Sequence, residues 1–224
     1  MPAQNQPSAG WFETFDNQVG QKNLAINNGT IHSNLFKPAN NSHRYLLDQY
    51  SAGNVFYDGQ WYPGHPLKYD LYLDNLIAKV DGQNNNTGIN LITSKVDYFE
   101  MDGKKFVNLN RYDGARALAK GFYEEVAVGA QCQLYVKHQK ERQEIVRSDG
   151  TFSKFTPAES FVLQRNGVWY AIQSQSSVVA VFPDFQKNIA AFYEANGNLR
   201  STDPKQFMKN LIQHLQSLTQ NGNR

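Results

Sequence analysis

The stretch "GNVFYDGQWYPGHPLKYDLYLDNLIAKV", Gly53 to Val80, decides the fold. Asp58-Gly59 separates "NVFY" from "QWYP". Asp-Gly supplies the two successive φ > 0 conformations of a tight type I′ turn, so the two runs read as a β-hairpin. Further on, Leu67, Tyr69, Leu71 and Leu73 share one face of an alternating run. After Asp74-Asn75 the apolar set becomes Leu76, Ala78 and Val80, and the parity has flipped. A two-residue loop at Asp74-Asn75 explains the flip, because it returns both apolar sets to one side of a sheet.

The same punctuation recurs outward from this stretch. "ITSKVDYFEM" meets "KKFVNL" across Asp102-Gly103, and "ESFVLQR" meets "VWYAIQ" across Asn166-Gly167. "GFYEEVAV" returns as "AQCQLYVKH" around Gly129. Turns at this rhythm predict an antiparallel up-and-down sheet, curved or closed into a partly open barrel. From about Gln175 the period changes. Phe182, Phe185, Ile189 and Phe192 recur at helical spacing, as do Phe207, Leu211, Leu215 and Leu218. Asp203-Pro204 is a cap followed by a first helical residue, and Gly197 reads as a helix stop. The fold class is therefore mainly β (α+β), with two to three C-terminal helices. A single domain is expected over 1–224: an extended N-terminal arm at 1–23, a sheet region at 24–175 and a helical region at 176–219. Trp11, Phe12 and Phe15 would pin the arm to the core. "DGQNNNTG", Asp81 to Gly88, reads as a polar loop.

Bulk composition narrows the function classes. The chain has 224 residues and a net charge of +2, which gives no electrostatic case for nucleic acid. Aromatic residues make up 13%, yet the mean hydropathy is −0.60, so much of the polar mass is uncharged. No apolar run approaches the roughly 18 residues that mark a transmembrane helix. The one cysteine, Cys132, alternates with polar neighbours in "AQCQLYV" and reads as a small buried hydrophobe. Signal peptides end in small residues, so "MPAQNQ" reads as a cleavage junction at Ala3-Gln4 with a start Met added, against the plainer reading of an ordinary cytosolic start.

Chemistry-bearing patterns are scarce. His32, His43, His65, His138 and His214 show no metal-ligand spacing, and neither metal nor cofactor is expected. No nucleophile elbow, P-loop or dinucleotide fingerprint is present. Asp70, Asp74 and Asp97 could form a carboxylate pair for glycoside hydrolysis, against the commoner reading of acidic groups on a wet strand face. "VKHQKERQEIVR", Val136 to Arg147, interleaves charges as a long edge strand or exposed hairpin does. In the opening stretch, Pro63 and Pro66 cannot donate to a ladder, which places that segment at a sheet end or edge. Rings there offer contact area, so Trp61, Tyr62, His65 and Tyr72 are the candidate ligand-binding residues.

The order of these motifs resembles a family of uncharacterised secreted or periplasmic proteins of Bacteroidetes bacteria, over about residues 25–218. The similarity rests on a hairpin at Asn54–Tyr62, a "Y-D-x-x-x-D" strand at Tyr69–Asp74, "GFYE" at Gly121–Glu124 and "FPD" at Phe182–Asp184. The resemblance implies an exported protein and carries no activity with it. Together the residues and the resemblance predict a non-enzymatic extracytoplasmic binding protein. Its partner would be a small molecule, lipid or glycan. The alternatives are a structural or protein-interaction component of the envelope and a carboxylate-dependent hydrolase.

Overall fold

The computed structural model describes residues 25–80, 87–115, 120–129 and 132–222. The expected arm, the Ala3-Gln4 junction and most of the 81–88 loop lie outside them. Eleven strands form one antiparallel up-and-down open sheet: β1 (Gly29–Ile31), β2 (Ser51–Tyr57), β3 (Gln60–Asp70), β4 (Asn75–Lys79), β5 (Gly88–Leu91), β6 (Val96–Met101), β7 (Lys104–Asn108), β8 (Phe122–Gly129), β9 (Cys132–Arg147), β10 (Gly150–Arg165) and β11 (Val168–Ile172). Their hydrogen-bonded order is β1-β5-β4-β3-β2-β6-β7-β8-β9-β10-β11. Helices α1 (Gln175–Val181), α2 (Gln186–Ala195), α3 (Gly197–Thr202) and α4 (Pro204–Gly222) follow. Packing divides the chain into two compact units, residues 1–105 with 142–156, and residues 106–141 with 157–224.

In the first unit the sheet curls. β5 and β6 are four strand spacings apart in the order, about 19 Å on a flat sheet at roughly 4.8 Å each. The link from Leu91 to Val96 spans at most about 18 Å fully extended, and its centre is a 3₁₀ turn at Thr93–Lys95, which shortens it. Only a curled sheet lets β5 feed β6. Val55, Tyr57, Leu67, Tyr69, Leu76 and Phe99 are fully buried in this unit. The Tyr57 hydroxyl donates to Asn28 O at 3.0 Å.

Three tight turns form as the sequence predicts. Asp58-Gly59, Asp102-Gly103 and Asn166-Gly167 all have positive φ at both positions. The Asp74-Asn75 turn does not. Asp70 pairs with Asn75, so a four-residue loop, Leu71 to Asp74, joins β3 to β4. The Asp70 carboxylate ends the strand by accepting from Tyr72 N and Leu73 N, both at 3.0 Å. The parity argument still holds because four, like two, is even: Leu67 faces Ala78 and Tyr69 faces Leu76.

Of the two placements expected for the basic run, edge strand or exposed hairpin, the hairpin forms: the run lies on β9, between β8 and β10, and the β9–β10 arm is exposed over much of 141–151. One further expectation is corrected. Gly197 opens α3 rather than stopping α2. The Asn196 side chain donates to Phe192 O at 2.9 Å, which satisfies that end without a left-handed glycine.

In the second unit the helices close over the sheet. Asp203 caps α4 as expected, accepting from Gln206 N at 2.9 Å. Phe182, Ile189, Phe207, Leu211 and Leu215 join Cys132, Leu134 and Leu163 in one core.

Candidate functional site

The predicted binding residues do not converge. Trp61 lies half-buried on the outer face of the first unit's sheet, its ring 5.7 Å from Tyr98, which stacks on Phe56 at 5.8 Å. Tyr62, one residue on, points to the opposite face and is 3% exposed, so it is core. His65 is held by Lys79 O at 3.1 Å. Tyr72 packs edge-on against Phe36 and Phe155, both at 5.5 Å. The prolines sit inside β3, not at the end of a sheet. Pro63-Gly64 is absorbed where Val55 pairs with Tyr62 and Gly53 with His65, a bulge in which Gly64 takes φ +63°. The β4 register covers only Leu67–Asp70, so Pro63 and Pro66 still avoid a second ladder.

Asp70, a candidate for carboxylate chemistry, is consumed structurally. It is fully buried, and its Oδ2 faces Arg44 Nε at 2.9 Å in an ion pair without good hydrogen-bond alignment. Arg44 Nη2 reaches Ser33 O and His32 Nε2, both at 3.2 Å. His32 Nδ1 donates to Asn90 Oδ1 at 2.9 Å, and burial holds the imidazole below its ordinary value of 6.5. The cleft beside Arg44, about 150 Å³, is lined by Asn34, Asn41, His43 and Asp48. Its Phe36 ring already carries the Arg44 and Arg142 guanidiniums at 5.0 and 4.8 Å. The network fastens the segment before β2 to the β3–β4 turn.

The second unit holds a comparable cluster. Glu124 on β8, His138 on β9 and Glu159 on β10 form a row. His138 Nε2 is 2.5 Å from Glu124 and Nδ1 3.2 Å from Glu159. Lys205, in the first turn of α4, donates to both Glu124 oxygens at 3.2 Å. Burial opposes the charged imidazole, but the two carboxylates outweigh it and raise its pKa. Burial likewise opposes the Glu124 carboxylate, and His138 and Lys205 outweigh it, holding its pKa low. The lysine stands where a metal would need an open carboxylate. Among the described residues no group of three His, Cys, Asp or Glu side chains has metal-binding geometry. Cys132 is 4% exposed, and burial pushes its thiol up to about 11, which suppresses nucleophilicity.

An apolar groove of about 310 Å³ lies in the second unit. Register pairs Phe161 with Ile172, so both project from one face of the β10–β11 hairpin. The Asp203 cap sets the first turn of α4, which brings up Phe207 and Met208. Tyr193 from α2 stands edge-on to Phe207 at 4.9 Å. Ile172, Phe207 and Met208 are buried beneath, while Gln173, Ser174 and Arg200 stand exposed at the rim. The Arg200 guanidinium lies over the Tyr193 ring at 5.5 Å. A volume near 300 Å³ is the lower end of the range for small-molecule sites. None of these residues carries a sequence signal beyond helical apolar spacing at Phe207 and strand alternation at Ile172.

No known protein family, curated protein or solved structure matches this chain.

Proposed function

We propose that this chain is a non-enzymatic, extracytoplasmic binding module that takes a small, largely apolar molecule into the groove of its second unit. The groove supports the reading: an apolar floor and walls with a few polar groups at the rim are the usual make-up of a ligand site. The walls favour a lipid-like molecule over a glycan, which would want more hydrogen-bonding partners. Titration with the neutral dye Nile red tests it. One saturable site is expected, abolished by Phe161→Trp, which fills the groove from a half-buried wall, with far-UV circular dichroism unchanged. Dye binding that survives this substitution would reject the groove. Export belongs to the same reading and rests on the sequence and its family resemblance; recovery of the native protein from the host cytoplasm would reject that part.

One observation favours a second reading, a protein-interaction component of the envelope. Phe56, Trp61 and Tyr98 form a half-exposed aromatic stripe on the outer face of the first unit. Trp61→Ala separates surface from core: a folded protein that loses a partner supports the stripe, and a loss of about 3–5 kcal/mol in stability makes the ring structural.

A further inference from the structure

Arg200 is the one charged residue lining the groove among the described residues. Among the described residues no carboxylate forms an ion pair with it, and the Tyr193 ring at 5.5 Å holds its guanidinium beside the opening. A neutral apolar ligand would make no use of that charge. An anionic head at the rim would gain a charge-assisted, planar hydrogen-bonded contact, with the Gln173 side-chain amide on the same rim as a further donor. The room within bounds the tail. At roughly 30 Å³ per non-hydrogen atom, the share of one water in the liquid, the groove takes on the order of ten such atoms.

We infer that the groove selects a short single-chain amphipathic anion, a medium-chain carboxylate in its simplest form, with Arg200 as the head-group residue and Ile172, Phe207 and Met208 under the tail. The inference rests on the binding reading above and goes beyond it in naming the charge and size of the ligand.

Octanoate, octan-1-ol and octylammonium are titrated by calorimetry into the full chain and into Arg200→Gln, with Nile red displacement in parallel. Arg200 is exposed, so the substitution leaves the core intact. For the wild type, octanoate is expected to bind about tenfold more tightly than octanol, as one charge-assisted contact at a partly wet site gives. Octylammonium is expected to bind weakest. In Arg200→Gln the octanoate advantage falls to about twofold or less while octanol affinity holds. The advantage also shrinks as salt rises, since the rim is solvated. Equal binding of octanoate and octanol by the wild type overturns the head-group inference and leaves the groove reading standing. So does an equal loss of both in the variant, which makes Arg200 a shaper of the groove. Failure of all three ligands and of Nile red overturns both readings.

Discussion

Arg44 and Asp70 show how much one buried pair can hold. Arg44 is 2% exposed and Asp70 0%, and each also bonds the backbone of a loop. Asp70→Asn can keep the turn bonds through its amide oxygen but leaves Arg44 charged in the interior. The expected loss is about 3–5 kcal/mol in urea unfolding, the cost of stranding a buried charge. Arg44→Met combined with Asp70→Asn should recover part of it, because the stranded charge is then gone. A loss below about 1 kcal/mol for the single substitution would mean that solvent reaches the pair. His138 is the matching case in the second unit, and its effect depends on pH. Its pKa is raised, so its contribution is full below the unfolded value of 6.5 and disappears as pH climbs through the folded value. The Glu124 pKa is lowered from 4.5, so its contribution is full above 4.5 and disappears as pH falls through the folded value. The urea midpoint of the wild type relative to His138→Gln should therefore be flat between about pH 4.5 and 6.5 and decline on the alkaline side. A difference that grows toward alkaline pH contradicts the assignment.

Strands and turns differ in how locally they are encoded. Asp58-Gly59 was legible because only a few residue types tolerate two successive positive φ values, so the turn is written in two letters. Gly59→Ala places a side chain at φ +82° with open space around it, and should cost about 1 kcal/mol of backbone strain. Gly53, on β2, has a different reason to be glycine. A Cβ there would sit 2.6 Å from Glu100 O and 2.9 Å from Leu67 Cδ1, across two neighbouring strands. Gly53→Ala should cost more than Gly59→Ala, about 1–3 kcal/mol, because the obstacle on the β6 side is backbone that cannot turn aside. Thermal melts of the two variants give the order directly, and the reverse order would mean that β6 yields. Nothing local to Gly53 announces this, since its neighbours come from residues 67 and 100. The same limit explains the misplaced β3–β4 turn. Leu71 and Leu73 continue the alternation, but the Asp70 side chain captures the amides of Tyr72 and Leu73 and ends the strand early. Side-chain capture of backbone competes with pattern, and the pattern alone cannot show which wins.

At the scale of the molecule, the aromatic density of 53–80 does not by itself say what its rings do. Rings are visible in a sequence whether they fill a core, as Tyr62 does, or line a surface. A groove is visible only where packed stripes fail to meet. Phe161, Tyr193 and Met208 are scattered in the chain, and the gap between them exists only after the helices have closed. That dependence gives a whole-protein test. Cys132 shares its core with Ile172, Phe207 and Met208, which floor the groove. In the folded protein a disulfide reagent should not react, because the thiol is buried and its pKa stands at about 11. Reaction then reports opening of this core. A ligand that binds only the closed form suppresses opening by the factor 1 + [L]/Kd. Octanoate at ten times its Kd should thus slow Cys132 labelling about elevenfold when reclosing is faster than labelling, and at a hundred times its Kd about a hundredfold. The Arg200→Gln chain at the same octanoate concentration should show less slowing, in proportion to its weaker Kd. Octanoate that binds by calorimetry yet leaves the labelling rate unchanged would place its site away from this core.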